Sequence, residues 1–165
     1  MKTLYIIRHA KSSWKDMEDD FGRPLNSRGK SNAPMMGHVL FNKGIKPDLI
    51  ISSPAKRAKT TALLISKEMG YDKDSMVFNE SIYESSTQNI IDIINSVSDE
   101  VKSLAIVGHN PALTDVINVL SGSGRLDNLP TMGVFAIKFD LSSWKDVNYN
   151  SGDPLFFEYP KKHLI

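Results

Sequence analysis

The 165-residue sequence contains no cysteine. Disulfides and thiolate metal sites are thereby excluded, and the composition is compatible with a reducing cytoplasm. Neither sign of charge is in excess: 20 Lys and Arg stand against 19 Asp and Glu, a formal net charge of +1. No global electrostatic reason points to nucleic acid or a membrane surface as partner, so any anion binding has to be local. Long hydrophobic runs are also missing. The apolar run after Lys2 is too short for a signal sequence, and nowhere do about 18 apolar residues follow one another. A soluble, cytoplasmic protein is expected. Neither G-x-x-x-x-G-K-[ST] nor G-x-G-x-x-G occurs, which argues against a nucleotide-binding protein, and no internal repeat or low-complexity tract is present. The length suits one domain spanning residues 1–165, enough to bury about two thirds of the unfolded surface.

What is present is an alternation of short apolar strands and longer helical patterns. Leu4–Ile7 reads as a buried strand, followed by a polar loop from Lys11 to Arg28. A helix is predicted over about Ser27–Lys43, stopped by Gly44, in which Pro34 implies a later start or a kink. Leu49–Ser52 forms a second strand, and Ser53-Pro54 reads as an N-cap with proline at the first helical position of a helix to Met69. Val77-Phe78 is a weaker strand, Thr87–Val97 a helix, and Leu104–Val107 a third clear strand. Asn110 and Pro111 repeat the cap-and-proline logic before a helix ending near Leu120. Val134–Asp140 and Leu155–Tyr159 look like strands, and Pro160 with the following lysines like a terminal tail. The pattern predicts a three-layer α/β/α sandwich on a mostly parallel central sheet.

Three strand ends deliver polar groups to one edge: Arg8-His9, then Ser53 with Arg57, then Gly108-His109. Two arginines, two histidines and at least two helix N-termini on one rim describe an anion pocket. Guanidinium forks match phosphate oxygens, and free helix N–H groups add partial positive charge. Singly, each has a plainer explanation: loop solvation for Arg8-His9, a solvated helix residue for Arg57, a turn hydrogen bond for His109. Their joint placement favours phosphate chemistry.

Arg8-His9-Ala10, Ser52-Ser53-Pro54-Ala55-Lys56-Arg57-Ala58 with Thr60-Thr61-Ala62, and Gly108-His109-Asn110-Pro111 resemble the histidine phosphatase superfamily, the phosphoglycerate mutase-like fold. Arg8 to Trp14, followed by Asp20-Phe21-Gly22-Arg23-Pro24-Leu25-Asn26-Ser27-Arg28-Gly29, resembles its short branch containing the SixA phosphohistidine phosphatases. The resemblance extends to about residue 140, with Ala10 where many members have glycine. It implies that His9 is the nucleophile of a phosphohistidine intermediate, and that Arg8, Arg57 and His109 hold the transferring phosphoryl group. No metal or other cofactor is implied. An imidazole with its ordinary pKa of about 6.5 is substantially neutral near neutral pH, which suits the nucleophile's role.

The general acid is less defined by sequence. Glu84, in Ile82-Tyr83-Glu84, is the candidate, with Glu80 as alternative; either fits a solvated surface carboxylate equally well. A phosphohistidine leaving group depends less on a dedicated acid than an alkoxide does. Arg23 is read either as a fourth phosphate contact or as an ion pair with Asp19 or Asp20. Ser12 and Ser53 are placed to donate near the phosphate, although capping accounts for Ser53. His38 and His163 read as structural or solvated, Trp14 and Trp144 as covers for apolar surface, and Met35-Met36 as core. The expected substrate is phosphohistidine on a protein such as a phosphorelay domain. A small phosphate ester is the alternative, and an inactive phosphate-binding module the reading from a different class.

Overall fold

A computed structural model describes residues 1–15, 19–122 and 125–164; positions 16–18 of the expected Lys11–Arg28 loop lie outside the described residues. Six strands form one sheet in the order β3-β2-β4-β1-β5-β6: β1 (Lys2–Arg8), β2 (Leu49–Ser52), β3 (Val77–Phe78), β4 (Ser103–Gly108), β5 (Val134–Phe139) and β6 (Asp153–Glu158). The first four are parallel, and β5 runs antiparallel to both of its neighbours. The sheet is therefore mostly parallel, as expected.

Alternation along each strand divides the core between two faces. Leu4, Ile6, Leu104, Ile106 and Ile51 turn toward α3 (Thr87–Asn95) and α4 (Ala112–Leu120). Ile7, Ala105, Val107 and Ile50 turn toward α1 (Ser27–Asn42) and α2 (Lys56–Met69). Helix pairs α1/α2 and α3/α4 pack on these opposite faces, which gives the three layers. Met36 and Trp144 are fully buried, as core residues should be, and the Trp144 Nε1–H donates to the Val101 carbonyl at 2.6 Å.

Several boundaries differ from the expectation. Helix α1 starts at Ser27 behind Asn26, whose side chain accepts from the Gly29 N–H, and continues through Pro34 to Asn42. Proline removes one helical donor, and burial of Ala33, Met36, Gly37 and Leu40 against α2 and the sheet outweighs that loss. Helix α2 begins at Lys56, three residues after Ser53, with Ala55 as a cap lacking any side-chain bond. Helix α4 begins at Ala112 rather than at Pro111. Strand β6 starts earlier, at Asp153. It is an edge strand whose Pro154 falls beside a register shift at Ala136/Ile137, where a missing donor is tolerated. The C-terminal segment is a 3-10 turn (Pro160–His163) in which Lys162 and His163 bond the buried Glu158 carboxylate, each at 2.7 Å.

This topology positions the site. Strand β4 lies between β2 and β1, and the register pairs Arg8 with Gly108 and Ser52 with Val107, so three carboxyl ends finish level. Such a switch point leaves a crevice beyond the strand ends.

Candidate active site

A cavity of about 510 Å³ opens beyond those ends, lined among others by Arg8, His9, Ser12, Arg23, Arg57 and His109. The structure thus brings six of the seven sequence-nominated residues into one cavity. The seventh, Glu84, is exposed and lines a smaller cavity of about 200 Å³ that shares Arg57 and His109 with the first; its backbone has φ of 52°. Glu80 lines neither.

His9 is held from every side. Its backbone N–H donates to the Gly108 carbonyl at 3.1 Å, and its carbonyl accepts from Met132 at 3.0 Å. The following amide, Ala10 N–H, donates to Thr61 Oγ1, which in turn donates to the Arg57 carbonyl, tying the turn after β1 to the first turns of α2. Nδ1 of His9 lies 2.7 Å from the Ala10 carbonyl oxygen. A carbonyl only accepts, so Nδ1 carries the proton and Nε2 keeps its lone pair. Burial, at 6% exposure, pushes the His9 pKa down to about 3; the hydrogen bond to Ala10 opposes this, and His109, Arg57 and Arg8 add to it. The neutral nucleophilic form therefore persists throughout the physiological range.

His109 stands beside it, ring centroids 5.2 Å apart, with Nε2 at 2.7 Å from Ser53 Oγ. Ser53 is fully buried, and its oxygen already accepts from the Ala55 N–H. When the hydroxyl proton is directed to His109 Nε2, the neutral ring carries its own proton on Nδ1, and that nitrogen is the donor. Burial lowers the His109 pKa to about 4, helped by Arg57 and opposed by Asp20, so the ring is a neutral donor. The helix-capping role expected for Ser53 is corrected: Ala55 stands at the cap of α2, and the Ser53 hydroxyl hydrogen-bonds and aims the His109 ring.

Three buried nitrogens in this wall, Arg8 Nε, Arg57 Nε and His109 Nδ1, have no hydrogen-bond partner among the described residues. Unpaired buried nitrogens cost free energy, and these three belong to residues that line one cavity with His9, two of them guanidinium groups suited to phosphoryl oxygens. Arg57 sits in the first turn of α2, nearer its positive end than the sequence implied.

The sequence reading named Asp20 only as one candidate partner of Arg23 and gave Tyr83 no role. Asp20 pairs with Arg23 at 3.0 Å and Arg57 at 3.1 Å, and accepts from the Tyr83 hydroxyl at 2.6 Å. The Tyr83 bond, partly opposed by desolvation and aided by both arginines, holds the Asp20 pKa below its ordinary value. The same bond, with burial, pushes Tyr83 up to about 12. Arg23 is therefore both ion-paired, with Asp20 rather than Asp19, and part of the cavity wall. It donates to Ser12 Oγ, and its guanidinium lies 3.3 Å from the centre of the Trp14 ring. Trp14 is 63% exposed and covers this cation rather than apolar surface.

Comparison with known proteins decides the family. The model of the histidine phosphatase superfamily (branch 1) matches residues 4–91. The chain belongs to that superfamily. An uncharacterized protein of Mycobacterium tuberculosis (strain ATCC 25618 / H37Rv) is 30% identical over 164 residues, covering 94% of this chain and all of the relative. A structure described provisionally as the phosphohistidine phosphatase SixA of Agrobacterium tumefaciens superposes with a TM-score of 0.81 at 25% identity, covering 96% of this chain and 98% of that one. The protein histidine phosphatase SixA complexed with tungstate gives a TM-score of 0.84 at 17% identity over 97% and 98% of the chains. The fold is the phosphoglycerate mutase-like fold in its SixA-type form, and membership supports phosphatase activity. None of the described helices is long and apolar enough to cross a membrane.

Proposed function

We propose that this histidine phosphatase transfers a phosphoryl group from phosphohistidine on a protein to Nε2 of His9, and then to water. The observation that carries this reading is the single cavity in which Arg8, Arg57 and His109, each with an unpartnered buried nitrogen, line the wall with an imidazole whose Nδ1 is held by the Ala10 carbonyl. In the first step the Nε2 lone pair forms a bond to phosphorus while the bond to the leaving imidazole nitrogen breaks. In the second, water attacks the phosphorus and Nε2 leaves. Arg8, Arg57 and His109 hold the three non-bridging oxygens in both steps, and charge stabilisation by such fixed donors dominates phosphoryl transfer. Arg23 adds a fourth cation. Ser12, which already accepts from Arg23, has its hydroxyl proton free to donate.

Among the described residues no carboxylate lines the main cavity. Phosphohistidine tolerates this, because its leaving nitrogen takes a proton before the bond breaks. The second reading, a phosphatase for small esters, rests on Glu84 in the adjoining cavity as the acid for an alkoxide. Metal independence and action in the cytoplasm belong to the same proposal.

The test is phosphate release in EDTA from a phosphohistidine peptide and from an aryl phosphate, for wild type and His9→Ala. Preference for the peptide, with the variant inactive, supports the proposal. Preference for the aryl ester transfers the assignment to the small-ester reading, and cleavage of neither substrate leaves the binding module.

A further inference from the structure

A second cavity of about 460 Å³ adjoins the phosphate cavity, and Lys11 and Thr131 line both. Three cations face it: Lys11, two residues past His9; Arg28, in the first turn of α1; and Lys161, in the C-terminal turn, which packs against α1. Among the described residues no carboxylate lines it. None of the three cations has an ion pair or side-chain hydrogen bond among the described residues. Glu158, which lies in sequence between the lining residues Phe157 and Tyr159, is buried and already bound by Lys162 and His163. The first turn of α1 contributes no acid either, so the positive end of a 16-residue helix adds to the field. Phe157 and Tyr159, with ring centroids 4.9 Å apart, form an apolar wall.

In a chain of net charge +1, such a cluster of unpaired cations is a local feature that makes the surface selective for negative charge. It adjoins the cavity that holds His9. We propose that this cleft is a specificity subsite for the carboxylates of acidic residues flanking the phosphorylated side chain on the partner protein. The inference rests on the phosphohistidine reading above and names the sequence context that the site selects. A cavity of about 500 Å³ already suits a small ester, and a second of the same order alongside it fits a longer, polypeptide substrate. Cations draw the acidic side chains in, while the aromatic wall covers their aliphatic stems and the peptide backbone. Phe157, Tyr159 and Lys161 belong to the last 25 residues, outside the motifs that carry the catalytic groups.

The experiment uses the full chain and three phosphohistidine peptides identical except for flanking Glu, Gln or Lys, with phosphoramidate as a reference that lacks flanks. Wild type is expected to rank them Glu above Gln above Lys in kcat/KM, the extremes differing about tenfold at low salt and converging as salt is raised. Arg28→Glu and Lys161→Glu should each cut the Glu preference about threefold, and together should abolish it, with phosphoramidate turnover within about twofold of wild type. Equal use of the three peptides, or a ranking the variants leave unchanged, overturns the subsite. So does a small diphosphate ester that outperforms the acidic peptide and responds to the same two substitutions. Failure of wild type to hydrolyse either phosphoramidate or any peptide overturns the phosphohistidine reading as well. That result is distinct from hydrolysis of all the peptides at one rate.

Discussion

The residues on the sheet edge and those on the loop after β1 meet the same cavity by different means. His9, Ser53 and His109 project from strand ends and are locked by backbone partners or by fully buried ones: Gly108, Met132, Ala10 and Ala55. Trp14, Asp20 and Arg23 come from the loop and hold one another mostly through side chains, with Asp20 about half exposed. The edge is thus preorganised for charge that develops during reaction, whereas the loop offers an ion-pair network weak enough to rearrange around a ligand. Rigid chemistry and adaptable enclosure are divided between two parts of the chain.

Substitutions sharpen this contrast. His9→Ala should abolish turnover while leaving the fold and phosphate binding in place, measured by steady-state assay and phosphate titration. Arg57→Ala should lower kcat about 100-fold or more and weaken phosphate binding as well, because the guanidinium touches the phosphoryl group in ground and transition states. Ser53→Ala should cost about 10–100-fold in kcat through the loosened His109, whereas Ser53→Thr, which keeps the hydroxyl, should recover much of it. On the loop, Asp20→Asn should act in the opposite direction. It frees Arg57 and Arg23 from a competing anion and should tighten phosphate binding about two- to fivefold, read by calorimetry.

A pH measurement separates the regions again. His9 and His109 stay neutral in the folded protein down to about 3 and 4, whereas unfolded imidazoles take up protons below about 6.5. Above that value both states are neutral and these groups cost nothing. As pH falls from there toward 4 the unfolded chain binds more protons, so stability should decrease on acidification. Thermal unfolding between pH 7.5 and 4.5 should show this slope, and His109→Asn should flatten it.

The edge was legible in the sequence because each part is local: an apolar run that ends in Arg8-His9, another before Arg57, a third before His109. Parallel pairing then brings like ends together. Ser53 was misread because Ser-Pro before a helix satisfies a local capping pattern, while its true partner is 56 residues away. Asp20 was obscure for a related reason. Adjacent Asp19 and Asp20 are equivalent in sequence, and only the folded loop turns one to the arginines and the other to the Gly22 amide. The start of α2 at Lys56 likewise depends on a long-range bond, from the Lys56 N–H to the Phe21 carbonyl.

The most direct test of the account is rapid quenching into alkali of wild-type protein mixed with labelled phosphohistidine peptide, followed by digestion and mapping of the label. The account predicts an alkali-stable, acid-labile phosphoryl group on His9 that forms and decays fast enough to match turnover and is absent from His9→Ala. Turnover with no label on the protein, or label on any other residue, would contradict it.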